Sequence, residues 1–109
     1  MSDEAAPANN AGAAVPSDAI SRELLIVNKR GLHARASAKF VQLVEKFEAE
    51  VWVTRGGETV GGTSIMGLMM LSAGIGTTIT VAAKGREAEA AMNAITELLA
   101  NKFGEEEAG

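Results

Sequence analysis

Residues 50–61 read EVWVTRGGETVG, and this stretch decides the fold class. Val51 and Val53 share one side of a period-two pattern, which predicts a half-buried strand. The Gly-Gly pair at 56–57 is a two-residue hairpin signal, and residues 59–61 return as the partner strand. A hairpin with one buried side predicts an antiparallel sheet that is covered on a single face.

The segments around this hairpin extend the pattern into a complete domain. Apolar residues recur at helical spacing in two long segments, and β-rich or alternating runs separate them. In chain order we predict a strand at 23–28, a helical period from Ala34 to Phe47, the two hairpin strands, a two-turn helix at 65–71 with Ser64 as N-cap, a strand at 77–83, and a helix from about 86 whose apolar stripe ends at Phe103. The order β-α-β-β-α-β-α predicts an α+β fold, an open-faced sandwich with a four-stranded antiparallel sheet and three helices on one face.

The 109 residues divide into one domain and two short tails. Residues 1–20 are rich in Ala, Asn and Pro and have almost no large apolar side chains, so we predict a disordered tail. This segment lacks the basic and apolar regions of a secretory signal. Residues 21–103 form the predicted domain, and residues 104–109 form an acidic C-terminal tail.

Charge and composition exclude several classes of function. The chain has ten basic and 14 acidic residues, but residues 21–103 hold all ten basic and only eight acidic ones. A domain with a net charge of only +2 suits acidic protein surfaces better than nucleic acid. With no Cys and a single His, we expect neither a disulfide framework nor a metal site, and we expect no cofactor.

One uncharged segment is long enough to cross a bilayer in principle. Residues 59–83 contain no charged side chain, but five of these 25 residues are Gly and seven are Ser or Thr. The turn signals within the segment favour the strands and short helix of a packed core. We therefore predict no membrane insertion.

His33 is the one histidine, and it falls between the first strand and the first helix. The first backbone N–H groups of a helix lack partners within the helix, so an anion at this position gains hydrogen bonds and favourable dipole interaction. Arg35 carries a planar group suited to phosphate oxygens, and Lys29, Arg30 and Lys39 add positive charge nearby. The arrangement indicates a histidine that accepts a phosphoryl group, although a solvated or capping His is the structural alternative.

Two motifs make the chain resemble a known family. Residues 31–35, GLHAR, together with residues 63–69, TSIMGLM, are similar to the HPr phosphocarriers of the bacterial phosphoenolpyruvate-dependent phosphotransferase system. The resemblance covers residues 21–103 and implies the open-faced sandwich independently. It also implies a cytoplasmic monomer that receives a phosphoryl group from enzyme I on Nδ1 of His33 and donates it to an enzyme IIA domain.

The resemblance also implies roles for other residues. Arg35 would stabilise the phosphoryl group, as would the helix N-terminus at Ala34, Ala36 and Ser37. Ser64 aligns with a serine that HPr kinase/phosphorylase modifies in some bacteria. The partner-binding surface would include Lys39 and residues of the second helix, whose apolar cluster is Ile65, Met66, Met69 and Met70. We expect about half of this cluster to lie in the core. We expect Ile65 and Met66 at the surface, followed by Met69.

Ala36 departs from the family, which commonly has Pro after the Arg. Ala restores a backbone N–H that could point at the phosphoryl group, and Ala36-Ser37 is similar to carriers of the nitrogen-related branch. Phosphoryl delivery to sugar uptake and phosphoryl delivery to metabolic or nitrogen regulation both stay open.

The second hypothesis is a docking module that does not transfer a phosphoryl group. It is disfavoured because known relatives of that sort lack the His. A third hypothesis, a small hydrolase, is not supported by any carboxylate pair or catalytic triad in the sequence.

Overall fold

The computed structural model describes residues 15–105, and its elements follow the predicted order. The strands are β1 (Ile20–Leu25), β2 (Glu50–Arg55), β3 (Glu58–Gly61) and β4 (Thr78–Lys84), and the helices are α1 (Ala34–Val44), α2 (Ile65–Met70) and α3 (Ala88–Ala100), with a 3-10 turn at Lys102–Gly104. The strands form one antiparallel sheet in the order β1-β4-β2-β3. The predicted open-faced fold is confirmed.

The core lies between one face of the sheet and the three helices. Val51 and Val53 of β2 pair with Ala83 and Val81 of β4, and all four side chains are buried in the same cluster. The helices contribute buried side chains to this cluster, chiefly Phe40, Leu68, Met92, Ile95 and Leu99. Trp52, at the opposite phase of the pleat, is buried outside the core cluster, beside Gly61 and Ala82 in the register.

The hairpin turn and the start of α2 both have the predicted residues in the predicted roles. Gly56 and Gly57 have φ values of 59° and 84°, as a type I′ hairpin turn requires. Ser64 caps α2 by accepting the N–H of Gly67 at 2.9 Å, which confirms its structural assignment.

The predicted domain boundaries need correction at both ends. Residues 16–19 form a turn before β1 begins at Ile20, so the domain starts earlier than residue 21; the predicted disorder of residues 1–14 lies outside the described residues. Residues 106–109 of the predicted acidic tail also lie outside them, but Gly104 and Glu105 belong to the domain.

The predicted helical stripe through Phe103 is also wrong in its last step. The α-helix ends at Ala100, and Lys102, Phe103 and Gly104 then adopt positive φ values of 57°, 58° and 73°. Phe103 still reaches the core, where it is 1% exposed, but through this left-handed turn and not through the helix. Burial of a large aromatic side chain offsets the backbone cost of the turn.

Two helix-level expectations differ in smaller ways. The regular part of α1 ends at Val44, and Phe47 lies half-buried after it. All four residues Ile65, Met66, Met69 and Met70 are exposed, which confirms the expectation for Ile65 and Met66 but contradicts the expectation that about half of this cluster lies in the core. The short α2 buries only Leu68, because six residues offer too few positions to face the sheet twice. No helix within residues 15–105 has the length and apolar character needed to cross a membrane.

The loop before α1 packs closely against the loop after α2. Gly31 has a φ of 63°, and a Cβ placed there would lie 2.3 Å from the carbonyl oxygen of Ala73. The next residue, Leu32, donates its N–H to that same oxygen at 2.9 Å. Position 31 therefore requires glycine for its conformation and for its contact.

We predict that Gly31→Ala destabilises the fold more than Gly56→Ala does. Both glycines have a positive φ near 60°, but a Cβ at position 56 would meet no atom within 4 Å. The control should lose roughly 1–2 kcal/mol from the left-handed backbone alone, and Gly31→Ala should lose a further ~1–3 kcal/mol from the clash. Urea unfolding of both variants measures the difference, and equal losses would contradict the close packing of the two loops.

Candidate functional site

His33 is the N-cap residue of α1, as its position before the helical period predicts. Its backbone is extended, with φ of −73° and ψ of −178°, and its side chain makes no capping hydrogen bond to the helix. Its carbonyl accepts the N–H of Ser37 at 2.8 Å, the first bond of the helix. The ring is therefore held at the helix start without capping the helix amides.

Three amides at the start of α1 have no backbone acceptor within residues 15–105, namely those of Ala34, Arg35 and Ala36. Ser37 is predicted to belong with these amides, but its N–H donates to the carbonyl oxygen of His33. Its buried hydroxyl donates to the carbonyl oxygen of Leu32 at 3.1 Å. Ser37 fixes the loop, whereas the three preceding amides leave an anion-binding end on the helix.

A cleft of about 400 Å³ opens beside His33. It is lined by four basic side chains, by one carboxylate and by the C-terminal turn: Lys29, Arg30, His33, Arg35, Lys39, Gly104 and Glu105. Arg35 is exposed there, one residue into the helix. Four cations around a small concavity create a local positive potential that attracts anions.

The predicted partner surface is divided: its α2 residues do not line this cleft, whereas Lys39 does. Within the described part of the chain, the cleft lining includes none of Ser64, Ile65, Met66 or Met69. These residues instead form an exposed patch on α2 and its N-cap, and α2 packs against α1. Lys39 belongs to the cleft, where its Nζ donates to the carbonyl of Phe103 at 2.7 Å.

Glu105 is a site residue that the sequence analysis placed in the acidic tail. Its Oε2 contacts Nε2 of His33, and its Oε1 accepts a hydrogen bond of 3.1 Å from Nδ2 of Asn28. Asn28 is fully buried and also donates to the carbonyl of Gly31 at 2.9 Å. The sequence signal for this contact is the pair Phe103-Gly104, an apolar residue followed by a turn residue. Together they turn the chain back toward the domain just before Glu105.

The surroundings of Glu105 favour its ionised form. Burial raises the pKa of the carboxyl, but hydrogen bonds from His33 and Asn28 and electrostatic attraction from His33 and Arg30 outweigh burial and hold the pKa below its usual value of 4.5. The site thus contains an ionised carboxylate at neutral pH.

The comparisons with known proteins agree with this geometry. A family model described as the PTS HPr component phosphorylation site matches residues 20–101. The chain belongs to the HPr family. The family supports a phosphocarrier role in the phosphotransferase system.

Individual relatives match over nearly their whole length. The phosphocarrier protein HPr of Cupriavidus necator is 50% identical over 88 residues, which are 81% of this chain and 99% of the relative. The phosphocarrier protein NPr of Shewanella violacea is 43% identical over 86 residues, covering 79% and 94%. A crystal structure of an HPr from Thermoanaerobacter tengcongensis has a TM-score of 0.76 at 40% identity and covers 80% of this chain and 98% of its own.

We expect the contribution of Glu105 to stability to depend on pH. Because its pKa is lower in the folded chain than in the unfolded one, the ionised carboxylate stabilises the fold above pH 4.5, and this contribution is lost as the pH falls through the folded value. The free energy of unfolding of the wild type should exceed that of Glu105→Gln at about pH 7, and the difference should shrink as the pH falls below the folded pKa of Glu105. Urea unfolding across this range measures the difference, and a gap that widens in acid would contradict the assignment.

Proposed function

We propose that this HPr-family chain is a cytoplasmic phosphoryl carrier that accepts a phosphoryl group from phosphorylated enzyme I onto Nδ1 of His33 and donates it to an enzyme IIA domain. The observation that carries the proposal is His33 in a cleft lined by four cations, at the start of a helix whose first three amides have no backbone acceptor within residues 15–105. The chain acts stoichiometrically, so most of the catalysis belongs to its partners.

The chemistry of the step fits the residues around the ring. The lone pair of Nδ1 attacks phosphorus, a bond forms between Nδ1 and phosphorus, and the bond from phosphorus to the donor nitrogen breaks with its electron pair returning to the donor. The phosphoryl oxygens then lie where the amides of Ala34, Arg35 and Ala36 and the guanidinium of Arg35 can donate to them. Ala36 contributes an amide that the proline common in the family lacks.

The exposed patch on α2 supports the docking part of the proposal. Ile65, Met66 and Met69 are 41%, 69% and 39% exposed, and flexible thioethers adapt to several partner surfaces. Ser64 lies at the edge of this patch as the cap of α2.

We propose that phosphorylation of Ser64 by an HPr kinase/phosphorylase, where present, adds negative charge there and weakens docking to acidic partners. Recovery of a phosphorylated Ser64 peptide after incubation with that kinase tests whether the modification occurs.

We further propose that the carrier works as a monomer. One similar solved structure, 42% identical with a TM-score of 0.64, is described as an HPr dimer from Thermoanaerobacter tengcongensis. Sedimentation of the purified chain at micromolar concentration decides between the two states, and a stable dimer would contradict the monomer.

Incubation with phosphoenolpyruvate and enzyme I should add one acid-labile phosphoryl group per chain, located on His33. The group should be absent from His33→Ala and should be lost again when an acceptor IIA domain is added, of either the sugar or the nitrogen type. Intact-mass spectrometry at alkaline pH measures each step. A chain that gains no phosphoryl group from a demonstrably active enzyme I would contradict the carrier function.

Arg35→Ala should slow phosphoryl transfer without unfolding the protein. A charge-assisted hydrogen bond is worth about 1.5–3 kcal/mol, so we expect a loss of roughly 10- to 100-fold in the transfer rate. Stability should change by less than about 0.5 kcal/mol because Arg35 is exposed. Lys46→Ala is the matched control, because it removes one positive charge just beyond the other end of α1. An equal loss of rate in both variants would mean that Arg35 contributes only its positive charge and no specific hydrogen bond.

A further inference from the structure

The C-terminal turn places a carboxylate on the edge of the His33 ring that phosphoryl transfer leaves unused. Oε2 of Glu105 contacts Nε2, and the two side chains are each only 15% exposed. Within residues 15–105, Nδ1 of the same ring has no hydrogen-bond partner. The two nitrogens therefore stand in different chemical surroundings.

We propose that Glu105 is a positioning residue that holds the neutral His33 ring with its proton on Nε2 and its lone pair on Nδ1. An ionised carboxylate only accepts hydrogen bonds, and a neutral imidazole has one donor and one acceptor nitrogen. A contact between Oε2 and Nε2 thus selects the tautomer whose nucleophilic atom is Nδ1. The consequence for transfer rests on the phosphoryl-carrier function proposed above.

Asn28 fixes the carboxylate from its other side. Both hydrogens of its Nδ2 are used, one on the Gly31 carbonyl and one on Oε1 of Glu105. A flipped amide would place its oxygen against two acceptors, so the observed orientation is selected even though Oδ1 has no partner within residues 15–105. The result is a chain of donors and acceptors that runs from Asn28 through Glu105 to His33.

The fold delivers this carboxylate by the turn after α3. Phe103 is anchored in the core, and Lys39 of α1 holds the Phe103 carbonyl at 2.7 Å, which ties the turn to the helix that carries His33 at its start. Lys29, Arg30, Arg35 and Lys39 line the cleft, and the charge of Arg30 favours the ionised form of Glu105.

During transfer the Nε2 proton stays on the ring. As Nδ1 bonds to phosphorus, positive charge develops on the imidazole, and the Glu105 carboxylate stabilises it through the same hydrogen bond. No proton needs to leave the site in this step. A carboxylate that merely occupied the phosphoryl position would instead compete with the phosphoryl group, and its removal would speed transfer.

The tautomer of His33 tests the proposal directly. We would record ¹⁵N shifts of the imidazole at about pH 9, above the range in which imidazoles ordinarily titrate, for the wild type, Glu105→Gln, Glu105→Ala and Glu97→Gln. Glu97 is an exposed acid on α3, outside the cleft lining, and serves as the matched control. The wild type and the control should carry the proton on Nε2.

Glu105→Gln should reverse this preference. Asn28 donates to one side of the substituted group, so the Gln oxygen turns to Asn28 and the Gln amide donates to Nε2, which moves the ring proton to Nδ1. Glu105→Ala should give a mixture of both tautomers. Transfer from phosphorylated enzyme I should fall about tenfold in Glu105→Gln, since a hydrogen bond to a charged group is lost, and should be unchanged in Glu97→Gln.

Two outcomes would overturn the proposal: tautomer populations in Glu105→Gln equal to those of the wild type, or faster transfer in Glu105→Ala. The spectra are read without any phosphoryl donor, so they decide the role of Glu105 separately. A wild type that shows the Nε2-protonated ring but takes no phosphoryl group would contradict the carrier function and leave the positioning contact established.

Discussion

The first amides of α1, which have no backbone acceptor within residues 15–105, are the feature on which the rest of the site depends. Helix starts usually satisfy such groups with a Ser, Thr, Asp or Asn side chain, a cap worth about 0.5–2 kcal/mol. The protein contains both solutions: α2 is closed by Ser64, whereas α1 begins at a histidine whose side chain makes no cap. Without a side-chain cap, α1 lacks this stabilisation, and its first amides remain available to bind an anion beside the nucleophilic ring.

An open helix end is useful only if the ring beside it is held still. Several elements provide this constraint, and each acts on a different part of the loop. The Asn28 side chain and the Ala73 carbonyl fix the loop before α1, and the turn anchored by Phe103 closes the cleft from the C-terminal side. The ring nevertheless borders the cleft, and a carrier that meets a donor and an acceptor in succession requires such an opening.

The sequence was most informative where local chemistry and periodicity agree. The Gly-Gly turn, the Ser64 cap and the start of α1 after His33 are each specified by residues within a few positions, and the structure confirms them. The resemblance of residues 31–35 and 63–69 to one family then supplied the function hypothesis, which the family match supports.

The missed features depend on contacts between distant parts of the chain. Glu105 looked like the first residue of an acidic tail, because nothing local shows that it lies against a ring 72 positions earlier. Phe103 continues the helical stripe in sequence, but its burial through a left-handed turn is a tertiary effect. Met70 is apolar yet exposed, since the two turns of α2 present one side chain to the core.

The most direct measurement is NMR of the phosphorylated protein with ¹⁵N labels. The account predicts a one-bond coupling between phosphorus and Nδ1 of His33, together with downfield shifts of the Ala34, Arg35 and Ala36 amide protons. A phosphoryl group on Nε2, or a group on Nδ1 that leaves these amides unshifted, would contradict the claim that the open helix end holds it.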